Sequence, residues 1–97
     1  MQDRLPTRNE KQTAWRIIDE QAIILSLKDH QIRSLNPVGT RIWQLADGKT
    51  SVAQIAQAIS KEYEISKNDA EQDVEDFINI LVQKEISYWT TPPLNSP

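Results

Sequence analysis

Hydrophobic positions change their period once along this chain. Between Trp15 and Leu35 they come in short alternating or β-branched runs, and from Val38 to Leu81 they recur three and four residues apart. The first pattern is that of strands and the second that of amphipathic helices. Trp15-Arg16-Ile17-Ile18 forms one short run, closed by Asp19-Glu20. Ala22 to Leu27 follows, with Ile23, Leu25 and Leu27 on one face and Ile24 on the other. After a polar Lys28-Asp29-His30 turn, Gln31 to Leu35 alternates again. Runs and connections this short predict an antiparallel three-stranded meander, with His30 as a solvated residue at a hairpin tip.

The helical half carries explicit start and stop signals. Asn36 is suited to cap a helix with its side-chain oxygen, and Pro37 fits the first helical position, where its missing N–H has no partner to lose. Val38, Ile42, Trp43, Leu45 and Ala46 give that helix its apolar stripe, and Asp47-Gly48 ends it. Ser51 with Gln54 has capping-box spacing, and Val52, Ile55, Ala56, Ile59 and Tyr63 form the inner face of a second helix. A third begins between Ser66 and Asp69, with Asn68 and Glu71 spaced as another box. Its stripe is Ala70, Val74, Phe77, Ile78 and Leu81, and it ends near Glu85. Ile86 to Trp89 is expected to pack on the sheet or form a short strand. The fold class is thus α+β: a three-stranded antiparallel sheet followed by three helices, in winged helix-turn-helix-like proportions. Residues 1–14, polar and aperiodic, read as a flexible arm, residues 15–89 as the domain, and 90–97, with its prolines, as a frayed tail.

Composition then removes most chemistry. Ninety-seven residues hold no cysteine, one histidine and two glycines, Gly39 and Gly48. Disulfides, thiolate metal sites, cysteine nucleophiles and a glycine-rich phosphate loop all go with them. No cofactor is expected, and carboxylates are plentiful without a paired base, so no enzyme is predicted. No run approaches the about 20 apolar residues of a membrane helix, and no signal-peptide core opens the chain, so a cytoplasmic protein without membrane contact is expected. The net charge is −3, and the eleven Lys and Arg are scattered. A winged-helix DNA-binding regulator is the alternative that the element order suggests. It would have to press a third helix bearing Asp69, Glu71, Asp73, Glu75, Asp76 and Glu85 against phosphates, with Lys84 as the one base, so no nucleic-acid partner is expected.

What a small meander does offer is an edge. The run Gln31-Ile32-Arg33-Ser34-Leu35 has no proline, so its backbone donors and acceptors are all available to an extended peptide. Two faces of the third helix flank the core stripe. One carries Asp73, Asp76, Ile80 and Lys84; the other carries Glu75, Ile78 and Val82. The first is the better floor for a peptide groove, because Ile80 stands apart from the core stripe among charges.

The ordered set Leu35-Asn36, Gly39, Ile42-Trp43, Leu45, Asp47-Gly48 and Ser51, with Asp73-Val74, Phe77 and Leu81 downstream, resembles the PqqD-like family. That family is named for a small accessory protein of pyrroloquinoline quinone biosynthesis, and the likeness runs from Trp15 to Ile86. It implies a RiPP recognition element, a module that binds the leader segment of a ribosomally made precursor peptide. The partners so implied are the leader and a modifying enzyme, of radical-SAM type or a leader peptidase. The leader would lie as an added strand on Gln31, Ile32, Arg33, Ser34 and Leu35, over a groove floored by Asp73, Asp76, Phe77, Ile80 and Lys84 of the third helix. Pairing of two copies edge to edge, as a homodimer, is left open. The chain departs from the family in having Glu85 where glycine is usual, and in a longer C-terminal end.

Overall fold

The structure, a computed structural model, describes residues 4–91. In chain order the elements are β1 (Leu5–Arg8), β2 (Thr13–Ile18), β3 (Gln21–Ser26), β4 (Ile32–Ser34), α1 (Pro37–Leu45), α2 (Val52–Tyr63), α3 (Lys67–Gln83) and β5 (Ser87–Thr90). Strands β2, β3 and β4 form the expected antiparallel meander, in that order. Two residues, Asp19 and Glu20, make the first hairpin, since Ile18 pairs with Gln21. Both have positive φ, 51° and 65°. This is the backbone that matches strand twist but that glycine or asparagine adopts more cheaply.

The sheet buries one face. Ala22, Ile24 and Ser26 of β3 point inward, with Trp15 and Arg33 beside Ile24 on the same side, as the register requires. Ile23 and Leu25, half of the apolar positions read from this run, lie on the outer face. Helices α1, α2 and α3 cover the inner face with Ile42, Trp43, Ile55, Ile59, Val74, Ile78 and Leu81. Trp43 is fully buried and meets Trp15 edge to face, ring centres 5.8 Å apart. Its indole N–H is buried without an acceptor.

The helix signals resolve as local chemistry dictates. Asn36 accepts the Gly39 N–H at 2.7 Å with Pro37 beginning the helix. Ser51 and Gln54 form the reciprocal box, at 3.1 and 2.9 Å. Helix α3 is capped by Ser66, whose hydroxyl accepts the Asp69 N–H at 3.2 Å. The Asn68–Glu71 box is therefore not formed: Ser66 already holds the extended backbone a cap needs, which leaves Asn68 within the helix.

The ends differ from the sequence reading. Leu5–Arg8 is a strand, and it pairs antiparallel with β5, Thr7 opposite Tyr88 and Leu5 opposite Thr90. The segment Ser87–Thr90 thus completes a second, two-stranded sheet and does not join the meander. Arg8 shows why the arm is held. Helix α1 has no basic residue in its last turn, and Arg8 Nη1 donates to the terminal carbonyls of Trp43 and Gln44 at 3.0 and 2.7 Å. A cation on those orphan carbonyls is where the helix dipole favours one. Of the tail expected to fray, 90–97, Thr90 instead ends β5 opposite Leu5, and the residues from 92 onward lie outside the described residues, as do residues 1–3.

One hydroxyl joins sheet to helix. Thr40 Oγ1 of α1, buried, accepts the Ala22 N–H at 2.7 Å and donates to the Leu35 carbonyl at 3.2 Å. Removing it leaves two buried backbone groups unpaired, so Thr40→Val is expected to lower the unfolding free energy by about 2 kcal/mol. Thr40→Ser, which keeps the hydroxyl and loses one methyl, should cost at most about 1 kcal/mol. Urea denaturation of the two variants checks this. Glu20→Gly should instead stabilise by about 1 kcal/mol, by removing the side-chain penalty at positive φ. For a domain this size that is a rise of about 4–8 °C in thermal midpoint.

Candidate peptide-binding edge and groove

Strand β4 has β3 on one side and no described strand on the other. Its register decides which backbone groups are free. Leu35 N–H donates to Ala22 and Ser26 N–H donates to Gln31. With Ile24 opposite Arg33, the bonded positions of β4 are 31, 33 and 35. In an antiparallel ladder the alternate positions face away. Ile32 and Ser34 therefore present their N–H and C=O groups along the open edge.

The hairpin before β4 is rigidly built. Asp29 Oδ1 accepts the Gln31 N–H at 3.0 Å, and its other oxygen lies 3.6 Å from Arg33 Nη2. The Gln31 N–H, followed by the Ser26 hydroxyl and the nearby Arg33 guanidinium, holds the Asp29 carboxyl below its ordinary range. Lys28 reaches across to Glu85, Nζ to Oε1 2.6 Å, and so ties the hairpin tip to the C-terminal end of α3. Glu85 itself sits at φ 62°, which explains why glycine is the cheaper choice at this position. Arg33 Nε is buried, on the inner side of the edge, without an acceptor among the described residues.

Just past β4 the chain enters α1, and a groove of about 300 Å³ opens between α1 and α3. It is lined by Asn36, Val38, Gly39, Ile42, Asp73, Asp76, Phe77 and Ile80. Gly39 lets the Phe77 ring pack against α1: a Cβ there would lie 3.0 Å from Phe77 Cζ and 3.2 Å from Asn36 Oδ1. The ring of Phe77 consequently forms the floor. Ile80, 48% exposed, forms one apolar wall, and the Asp73 and Asp76 carboxylates form the rim. Asp76 accepts a hydrogen bond from Gln72 at 2.9 Å. Among the described residues no Lys or Arg pairs with either acid.

The candidate residues read from the sequence sort into three groups. Ile32, Arg33 and Ser34 form the edge strand, with exposed Gln31 just before it and buried Leu35, a core residue, just after. Asp73, Asp76, Phe77 and Ile80 come together in one groove. Lys84 does not line that groove; it ends α3, its N–H on the Ile80 and Val82 carbonyls. On the other flank of α3, Ile78 is fully buried in the core and Val82 packs against it. Four further residues line the groove, Asn36, Val38, Gly39 and Ile42; the sequence pattern gives Asn36 as a cap and Val38 and Ile42 as core stripe, and does not mark any of them as lining. The signal available for them was the pair Val38 and Ile42, one turn apart on the face that also bears Gly39. A second hollow of about 250 Å³ lies on the outer face of the sheet, among Ala14, Arg16, Ile23, Leu25 and Ile32.

An open strand edge beside an apolar groove defines a small α+β domain with room for an extended peptide, and comparison with known proteins gives the family. Residues 21–86 match the family model of coenzyme PQQ synthesis protein D, PqqD, and the chain belongs to that family. Among solved structures it is similar to one described as TbiB1 in complex with the TbiA(beta) leader peptide, with a TM-score of 0.75 and 26% identity over 93% of this chain and 99% of that one. A lasso peptide synthetase B1 complexed with the leader peptide shares the fold, with a TM-score of 0.73 and 23% identity over 79% of this chain and 91% of the other. No curated protein sequence matches. No helix among the described residues is long and apolar enough to cross a membrane.

The Asp29 hydrogen bond gives a direct check on the edge. A carboxyl held low is ionised above its unfolded value of about pH 3.9, and its stabilising contribution is lost as pH falls through the lower folded value. The Gln31 amide resonance is expected to titrate with a midpoint below about pH 3.9. A midpoint at or above that value would remove Asp29 as the lock on the β3–β4 turn.

Proposed function

We propose that this chain binds the leader segment of a ribosomally made precursor peptide and presents it to a modifying enzyme. The leader adds as a strand to the open edge of β4, pairing with the outward N–H and C=O groups of Ile32 and Ser34. Its side chains on the inner face enter the groove formed by Asp73, Asp76, Phe77 and Ile80. The observation that carries this is the alternation of bonded and free backbone positions on β4, immediately beside an apolar groove. Main-chain pairing supplies affinity and the groove supplies selectivity. Membership of the PqqD family and the likeness to a protein solved with a leader peptide support the same reading.

The chain is a binding protein in this account, not a catalyst. With one histidine and no cysteine it has few groups for chemistry. Among the described residues no cluster of His, Cys, Asp and Glu is placed to hold a metal ion. The chemistry belongs to the partner, a radical-SAM enzyme or a leader peptidase. Lys84, outside the groove but close in sequence to Ile80, is assigned to the region where the peptide leaves.

The test uses a fluorescein-labelled peptide covering the leader segment of a candidate precursor. Ser34→Pro removes one outward donor and leaves the bond between Arg33 and Ile24 alone. It should weaken binding about threefold to tenfold in fluorescence anisotropy, the value of one hydrogen bond. Ile80→Asp should weaken it at least as much, by placing a charge on the apolar wall. Unchanged affinity in a Ser34→Pro variant that melts like the parent rules out strand pairing. If Val82→Asp is the damaging change instead, the groove is on the opposite flank of α3.

A further inference from the structure

Each of the two apolar α3 residues that line the groove has an acid one turn before it, and that spacing matches an extended chain. Asp73 precedes Phe77 by four residues, and Asp76 precedes Ile80 by four, all on one stripe of α3. Four residues of helix rise about 6 Å. Two residues of strand rise about 6.6 Å, and side chains two apart lie on the same face. A strand lying along the groove therefore sets one inward side chain over Phe77 and Ile80 and the next inward one between the carboxylates of Asp73 and Asp76.

Building on the peptide reading above, we propose that the groove selects a peptide with an apolar residue and a lysine or arginine two positions apart. The apolar side chain covers the Phe77 floor and the exposed Ile80. The cation sits against two carboxylates that no described Lys or Arg pairs with, and offsets one of their two charges. The facing wall adds no charge, since Asn36, Val38, Gly39 and Ile42 are all neutral. The acids alone would be an ordinary solvated helix face. Their place on the rim of a half-buried apolar groove, beside an open strand edge, is what gives them a charge to complement.

A displayed library of random dodecapeptides is selected against the full chain and against Asp73→Asn/Asp76→Asn, whose changes are exposed and isosteric. The parent should enrich sequences carrying Lys or Arg two residues from an apolar one, and the double variant should enrich the apolar residue without the base. The best peptide from the parent is then labelled and its base changed to glutamine. Affinity should fall about fivefold for the parent and by less than twofold for the double variant, the size of one partly exposed ion pair. Enrichment without a base, or a base preference that survives in the double variant, overturns the charge rule and leaves the strand-pairing reading standing. If the parent enriches no peptide, or Ser34→Pro binds the enriched ones equally well, it is the peptide reading itself that fails.

Discussion

The position of every part of the site follows from how α1 is fixed to the end of the sheet. At Ala22 and Leu35 the β3–β4 ladder has its last bonded pair, and only one of the two cross-strand bonds is made between the strands. The Thr40 hydroxyl takes the place of the other, accepting from Ala22 and donating to Leu35. Buried backbone groups must be paired somewhere, and this pairing leaves α1 little freedom to slide or rotate. The chain passes from strand to helix within two residues, through Leu35 in the core and Asn36 as cap. Once α1 is set there, the Phe77 ring packs on Gly39, and the groove between α1 and α3 opens beside the strand edge. The edge and the groove are thus one feature with one cause.

That arrangement divides labour on α3. Its buried stripe, Ala70, Val74, Ile78 and Leu81, holds the helix to the core. The adjacent stripe, Asp73, Asp76, Phe77 and Ile80, faces the groove. Phe77 belongs to both, half-buried against the core and forming the floor. The opposite end of the site is fastened by an ion pair between Lys28 at the hairpin tip and Glu85 after α3. Glu85 occupies a left-handed conformation, as do Asp19, Glu20, His30 and Glu64, all exposed. With two glycines in the chain, these turns rest on side chains that cost more backbone strain than glycine would.

Much of this was legible in the sequence because it depends on near neighbours. The Asn36 and Ser51 caps, Pro37 at the helix start and the polar turns are satisfied by residues within a few positions. The meander was legible for the same reason. The face of α3 chosen for the groove, Asp73, Asp76, Ile80 and Lys84, stood out because Ile80 has no place in the core stripe; Lys84 lies beyond the groove because it ends the helix. The arm was misread as flexible because its partners are remote: Thr7 meets Thr90, and Arg8 meets the end of α1. A four-residue strand has no periodicity to announce it. Val38, Gly39 and Ile42 were missed as lining because groove and core lie on adjoining parts of one helix surface, and the hydrophobic pattern does not distinguish them.

The sequence by itself determined the kind of elements, their order and their ends. Those rest on backbone hydrogen bonds closed within one turn or one hairpin, so local residue types suffice to specify them. It also determined what chemistry the chain lacks. Only the tertiary structure decided which β4 groups point outward, and that Asp73 and Asp76 border an apolar hollow. Those facts depend on strand register and on how the Phe77 side chain of α3 packs on α1. Both are set by contacts between residues far apart in the chain, Thr40 with Ala22 and Gly39 with Phe77 above all.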